Sequence, residues 1–134
     1  NVPLEVKKLV DNTKNAFYEG VKQVKEGARI CDISRAIEKY AHEHGLSVVE
    51  ELVGHGIGSA MHEKPDIPNF NTNDYTKLKA GMTIAIEPML NLGSKHIYVE
   101  DDDWTVKTFD GKPSAHYENT VLVTKDGYEI LTGD

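Results

Sequence analysis

The sequence of 134 residues contains a single cysteine, Cys31. One thiol cannot form a disulfide within the chain, which fits a reducing compartment such as the cytoplasm. Cys31 is readable as a reactive nucleophile or as a small buried residue at a helix start, and free cysteines are more often buried and inert. Long apolar runs are also missing. Nothing approaches the roughly 18 residues of a membrane span, and no signal-like segment is visible. A basic surplus is absent as well: 15 Lys and Arg stand against 22 Asp and Glu, a net charge of -7. That balance argues against a nucleic-acid footprint and favours solubility. Repeats, low-complexity stretches and internal linkers are lacking. The first residue is Asn1 and not Met, so an upstream segment is expected.

What remains is an ordinary globular composition, 39% hydrophobic and 28% charged, enough for one domain over residues 1–134 with one core. Leu4, Leu9, Val10, Phe17, Val21 and Val24 fall near one helical face, which predicts a helix over residues 4–26 that opens after Pro3 and closes at Gly27. A second helix is expected from Asp32, as N-cap, to His44, with Ile33, Ala36, Ile37 and Tyr40 as its apolar stripe and Gly45 as its stop. Beyond Gly45 the pattern becomes strand-like. Strands are expected at 47–53, 82–90, 96–100, 104–108, 116–124 and 128–132, with 54–80 mostly loop. Asp126-Gly127 is a hairpin turn signal. Two helices followed by antiparallel strands give an α+β layout, the helices covering one face of the sheet.

Three segments carry candidate chemistry. In GHGIGSAMHEKP, residues 54–65, glycines surround His55, and His62 follows seven positions later. Glycine permits unusual backbone geometry and close approach of another chain or a ligand. Taken alone, a histidine pair at this spacing does not assign a role. In GMTIAIEPML, residues 81–90, Glu87 interrupts an apolar run. It either alternates with Ile84 and Ile86 toward solvent or is a buried carboxylate that requires a partner or a metal. In SAHYENTVLVT, residues 114–124, Glu118 is readable as an exposed charge at a strand start. His116 and Asn119 flank it as possible supports. Together, one imidazole and two carboxylates on separate strands suit a divalent metal of hard-to-borderline character. Such a metal activates water and polarises carbonyl groups, and a nearby histidine assists proton movement or an oxyanion.

These segments, in this order, together with DWTVKT at 103–108, SAHYENTVLVTKDGYEILT at 114–132 and the upstream KEGARICDISRAIEKYAHEHGLSVVEELVGHG, resemble the type I methionine aminopeptidases. The resemblance covers essentially the whole chain and implies the C-terminal half of a pita-bread fold. It implies that His55 and Glu87 ligate metal, that Glu118 bridges two metals, and that His62 contacts the substrate amide and supports the tetrahedral intermediate. Met61, where the family usually has Phe, and Trp104 would line the methionine side-chain pocket. The cofactors implied are two divalent ions per complete site, of cobalt, manganese, iron or zinc. The implied partners are peptides or nascent chains with an initiator methionine.

The sequence also departs from the family. Two metal-ligating aspartates and a further substrate-contacting histidine of the N-terminal half have no counterpart here. The usual Gln-Tyr/Phe-Glu-His stretch is His116-Tyr117-Glu118-Asn119. An incomplete site is therefore expected in this chain alone, to be completed by a missing N-terminal half or another chain. A noncatalytic pita-bread module that binds peptide or protein is the alternative. A proline-specific pita-bread peptidase is disfavoured by the DWTVKT and SAHYENTVLVT segments.

Overall fold

The computed structural model describes residues 3–50, 53–58, 63–93, 97–99, 106–108 and 113–132. Its first helix, α1, spans Leu4–Val21 and follows Pro3 as expected. It ends five residues sooner than its apolar pattern suggests. Gln23 and Val24 donate to Gly20 and Val21 in tightened final turns, after which the Glu26 and Gly27 amides turn to the Thr124 and Leu78 carbonyls. Tertiary partners thus replace the helical ladder. Val24 is buried all the same. The buried face of α1 is Leu9, Thr13, Ala16, Phe17, Gly20 and Val21, whereas Leu4 and Val10 are exposed.

Helix α2 spans Ile30–Glu43. It starts before Asp32, which is the third helical residue and not the N-cap. From there its carboxylate accepts the Arg29 N–H at 2.9 Å, closing the helix start from inside. At the other end Leu46 N–H donates to Ala41 and Gly45 N–H to His42, with Gly45 at φ 70°. This is the left-handed stop that glycine favours. Cys31 is buried in the first turn. The helices cross closely at Gly20, where a Cβ would come within 2.8 Å of Ile37 Cγ1.

The strands form three sheets among the described residues, all pairings antiparallel. Strands β1 (Ser47–Val48), β5 (Met89–Asn91) and β8 (Ser114–His116) make one, in the order β1-β5-β8. The largest contains β2 (Gly54–Ile57), β3 (Glu63–Ile67), β4 (Thr83–Ile86), β9 (Asn119–Val123) and β10 (Tyr128–Ile130), in the order β10-β9-β4-β2-β3. Strands β6 (Ile97–Val99) and β7 (Val106–Thr108) pair by themselves.

Several strand expectations change. Among the described residues of the run at 47–53, Ser47–Val48 form a strand. The stretch 54–80, read as mostly loop, contains β2 and β3. Its glycines serve sheet packing: a Cβ on Gly54 would run into the Ala85 carbonyl oxygen and Ile67 Cβ. The runs 82–90 and 116–124 each break in two, at Glu87-Pro88 and at Tyr117-Glu118, and their halves belong to different sheets. The Asp126-Gly127 hairpin stands, with Val123 opposite Tyr128.

The core lies between the helices and the sheets. Phe17, Ile30, Ile33 and Ile37 from the helices meet Ile67, Ile84, Ile86, Leu90, Val121 and Val123 from the strands. No helix among the described residues is long and apolar enough to cross a membrane.

Candidate metal centre

Strand register decides which residues share a face. His55 pairs with Ala85, and Ala85 with Thr120. Directly opposed residues point to the same side of a sheet. Gly56, Ile84 and Val121 form the next row, facing the helices. By the same alternation Glu87 follows Ala85, and Glu118 precedes Thr120, on the side of His55. The face that seemed merely solvent-directed for Glu87 is the one on which all three residues converge.

The two glutamates also share a local design. Each sits where a strand leaves the five-stranded sheet for the three-stranded one. Ile86 pairs with Asn119 on one side of the breaks, and Met89 with His116 on the other. The Tyr117 N–H donates to the Pro88 carbonyl across them at 3.1 Å. Proline has no N–H to give a ladder, so Pro88 belongs at such an exit. Buried Asn69 secures the first break, its Nδ2 donating to the Glu87 carbonyl at 3.1 Å. Sequence reasoning missed Asn69. It lies in a polar stretch rich in turn-forming residues, and nothing local marks it as different from them.

One ligand atom from each of His55, Glu87 and Glu118 lies within 4.8 Å of the others. His55 is buried, Glu87 partly so and Glu118 exposed, which grades the site from sheet interior to solvent. His55 Nδ1 lies 3.0 Å from the Gly56 carbonyl oxygen. A carbonyl only accepts, so Nδ1 carries the hydrogen, and in the neutral ring Nε2 offers a lone pair. That atom stands 3.0 Å from Glu87 Oε2. Yet Oε2 is buried and accepts no hydrogen bond among the described residues. The distance alone suggests a simple His–Glu pair, but two lone pairs at this separation repel unless a proton or cation lies between them. Imidazole nitrogen and carboxylate oxygen are both donors to divalent metals, and a cation between them would relieve that repulsion. The residues therefore fit a divalent ion.

His116 does flank the carboxylates. Its Nε2 lies 3.8 Å from Glu87 Oε1 and 3.9 Å from Glu118 Oε1. Its pKa is raised above the ordinary 6.5, chiefly by the contact with Glu87, with burial opposing and the charges of Glu87 and Glu118 adding to the rise. Asn119 behaves otherwise. It is buried, and its amide lies 3.1 Å from the Tyr117 hydroxyl and 2.8 Å from Thr132 Oγ1. It ties the strand together and does not meet the carboxylates. His62, Met61 and Trp104 lie outside the described residues. A groove of about 360 Å³ between α1 and α2, with Glu19, Asp32, Arg35 and Lys39 among its walls, contains none of the converging three.

The sequence profile of metallopeptidase family M24 matches residues 2–125. A methionine aminopeptidase of Clostridium perfringens is 48% identical over 133 residues, spanning 98% of this chain and 53% of that protein. The crystal structure of methionine aminopeptidase from Rickettsia prowazekii has a TM-score of 0.93 at 42% identity, over 97% of this chain and 53% of that one. A prolidase from Pyrococcus furiosus, at 24% identity and a TM-score of 0.73, covers 100% of this chain and 34% of its own and shares the fold. The chain thus spans about half the length of the curated relatives it matches. The expected α+β class, two helices on mainly antiparallel sheet in half of a pita-bread fold, agrees with these neighbours.

Proposed function

The chain belongs to metallopeptidase family M24, and we propose that it is the C-terminal half of a methionine aminopeptidase catalytic domain. The reaction is hydrolysis of the first peptide bond of a nascent polypeptide, releasing its N-terminal methionine. The observation that carries the reading is the convergence of His55, Glu87 and Glu118 on one sheet face. In this assignment the three hold divalent metal, with cobalt, manganese, iron and zinc all compatible with imidazole and carboxylate donors. Such an ion, when bound, supplies a water of lowered pKa and polarisation of the scissile carbonyl.

The remaining assignments concern this chain's own residues. His55 is oriented by its Nδ1–H on the Gly56 carbonyl, leaving Nε2 to face the site. Glu118 would serve as the bridging carboxylate, and its exposure supports a place at the boundary with further ligands. His62 would contact the substrate amide and assist the oxyanion or the leaving amine. Met61 and Trp104 would supply the apolar wall for the methionine side chain. The substrate would be a peptide or nascent chain with an initiator methionine, a reading that fits a cytoplasmic protein.

Three ligands leave the site open, so we propose that a further half, or another chain, completes it. Release of methionine from a Met-Ala peptide in the presence of cobalt or manganese tests this. The isolated chain should turn over poorly, and the chain joined to its N-terminal half should be active only with metal. Robust turnover by the isolated chain would contradict the incomplete site. No metal-dependent release by the joined form would contradict the activity and favour a peptide-binding module.

A further inference from the structure

The two oxygens of Glu87 have different surroundings. Oε2 is buried beside His55 Nε2 at 3.0 Å. Oε1 faces His116 Nε2 at 3.8 Å, and the same nitrogen lies 3.9 Å from Glu118 Oε1. One imidazole nitrogen therefore stands within ion-pair reach of both carboxylates that share the candidate site. With a hydrogen on that nitrogen, His116 attracts both carboxylates, which when ionised only accept. At these distances the contact is electrostatic, longer than a formed hydrogen bond.

We propose that His116 is a positioning residue of the metal centre: by facing Glu87 Oε1 and Glu118 Oε1 it turns Glu87 Oε2 toward the ion and lets two like charges converge. The inference deepens the metal-site reading and rests on it. The backbone favours the role. His116 is the last residue of β8, paired with Met89, directly before the break that carries Glu118 and opposite the one that carries Glu87. Its place is fixed by the same sheet exchange that fixes both carboxylates. Partners of this kind act through ligand orientation, and their loss typically lowers metal affinity by about 10- to 100-fold.

The test is calorimetric titration of the chain joined to its N-terminal half with Mn²⁺ and with Co²⁺, for wild type, His116→Ala and His116→Gln, beside the thermal midpoint of each metal-free protein. His116→Ala should bind metal about 10- to 100-fold more weakly while its metal-free midpoint stays near that of wild type. His116→Gln restores an N–H donor and should recover most of the affinity. Unchanged affinity in His116→Ala, with metal binding intact in wild type, would overturn this inference alone. Glutamine no better than alanine would overturn positioning in favour of direct ligation by the imidazole, and the Co²⁺ absorption spectrum would then change with the donor set. Failure of wild type to bind either ion would overturn the metal-site reading itself, and this inference with it.

Discussion

The two faces of the five-stranded sheet follow one alternation and carry opposite chemistry. The helix side presents Ile67, Ile84, Ile86, Val121 and Val123, all buried. The other side presents His55, Ala85 and Thr120 in one row and, just beyond the strand ends, Glu87 and Glu118. Apolar burial on the first side holds the strands in register, and that register brings the polar groups of the second side together. Stability and chemistry thus reside on opposite sides of the same strands, which makes them separable by mutation.

The strongest way to break this separation is at the helix crossing. Ile37 is buried against Gly20, and Ile37→Ala should cost about 2–5 kcal/mol in urea unfolding. The metal affinity of the molecules that remain folded should be unchanged. If affinity falls in step with stability, the two faces are not independent.

Asn69 is the exception that sharpens the rule. It is buried, and its side chain holds the Glu87 carbonyl at the strand break. Asn69→Ala should cost about 1–3 kcal/mol for the group left unsatisfied and should also weaken metal binding, because the break aims the carboxylate. Urea unfolding and metal titration of one sample separate the two effects. Loss of stability without loss of affinity would confine Asn69 to the structural side.

The smallest effect expected is a pH dependence confined to the site side. The folded-state pKa of His116 is raised, chiefly by Glu87. A raised histidine pKa contributes stability that is fully present below its unfolded value and is lost as pH rises through the folded value. Metal-free protein should therefore lose a small increment of stability as pH climbs above about 6.5, and His116→Ala should remove that slope. Urea midpoints measured across this range in both proteins check it. An identical slope in the variant would assign the dependence to another group.

Much of this comparison was legible in the residues themselves. The strong 3.6-residue pattern of α2, the glycine stop at Gly45 and the Asp126-Gly127 turn all act over a few neighbours, and each has the structure expected of it. His55, Glu87 and Glu118 are candidates only in combination, as one imidazole and two carboxylates on separate strands, and their individual roles come from the family resemblance. The strand breaks were not legible. The segments 82–90 and 116–124 each look like one continuous strand, because leaving one sheet for another is decided by pairing partners far away in sequence. The glycines of β2 misled for a related reason. Gly54 resembles a loop residue, but the neighbouring strands demand it by approaching too closely for a Cβ. The early end of α1 likewise reflects Leu78 and Thr124, residues that no local window contains.

His55, Glu87 and Glu118 are proposed to hold one divalent ion on the face turned away from the helices. Anomalous diffraction from crystals grown with Mn²⁺ or Co²⁺ tests it most directly. A peak is expected about 2.0–2.2 Å from His55 Nε2, Glu87 Oε2 and a Glu118 carboxylate oxygen. A peak elsewhere, such as among the acidic groups between α1 and α2, or none with the ion in excess, would contradict it.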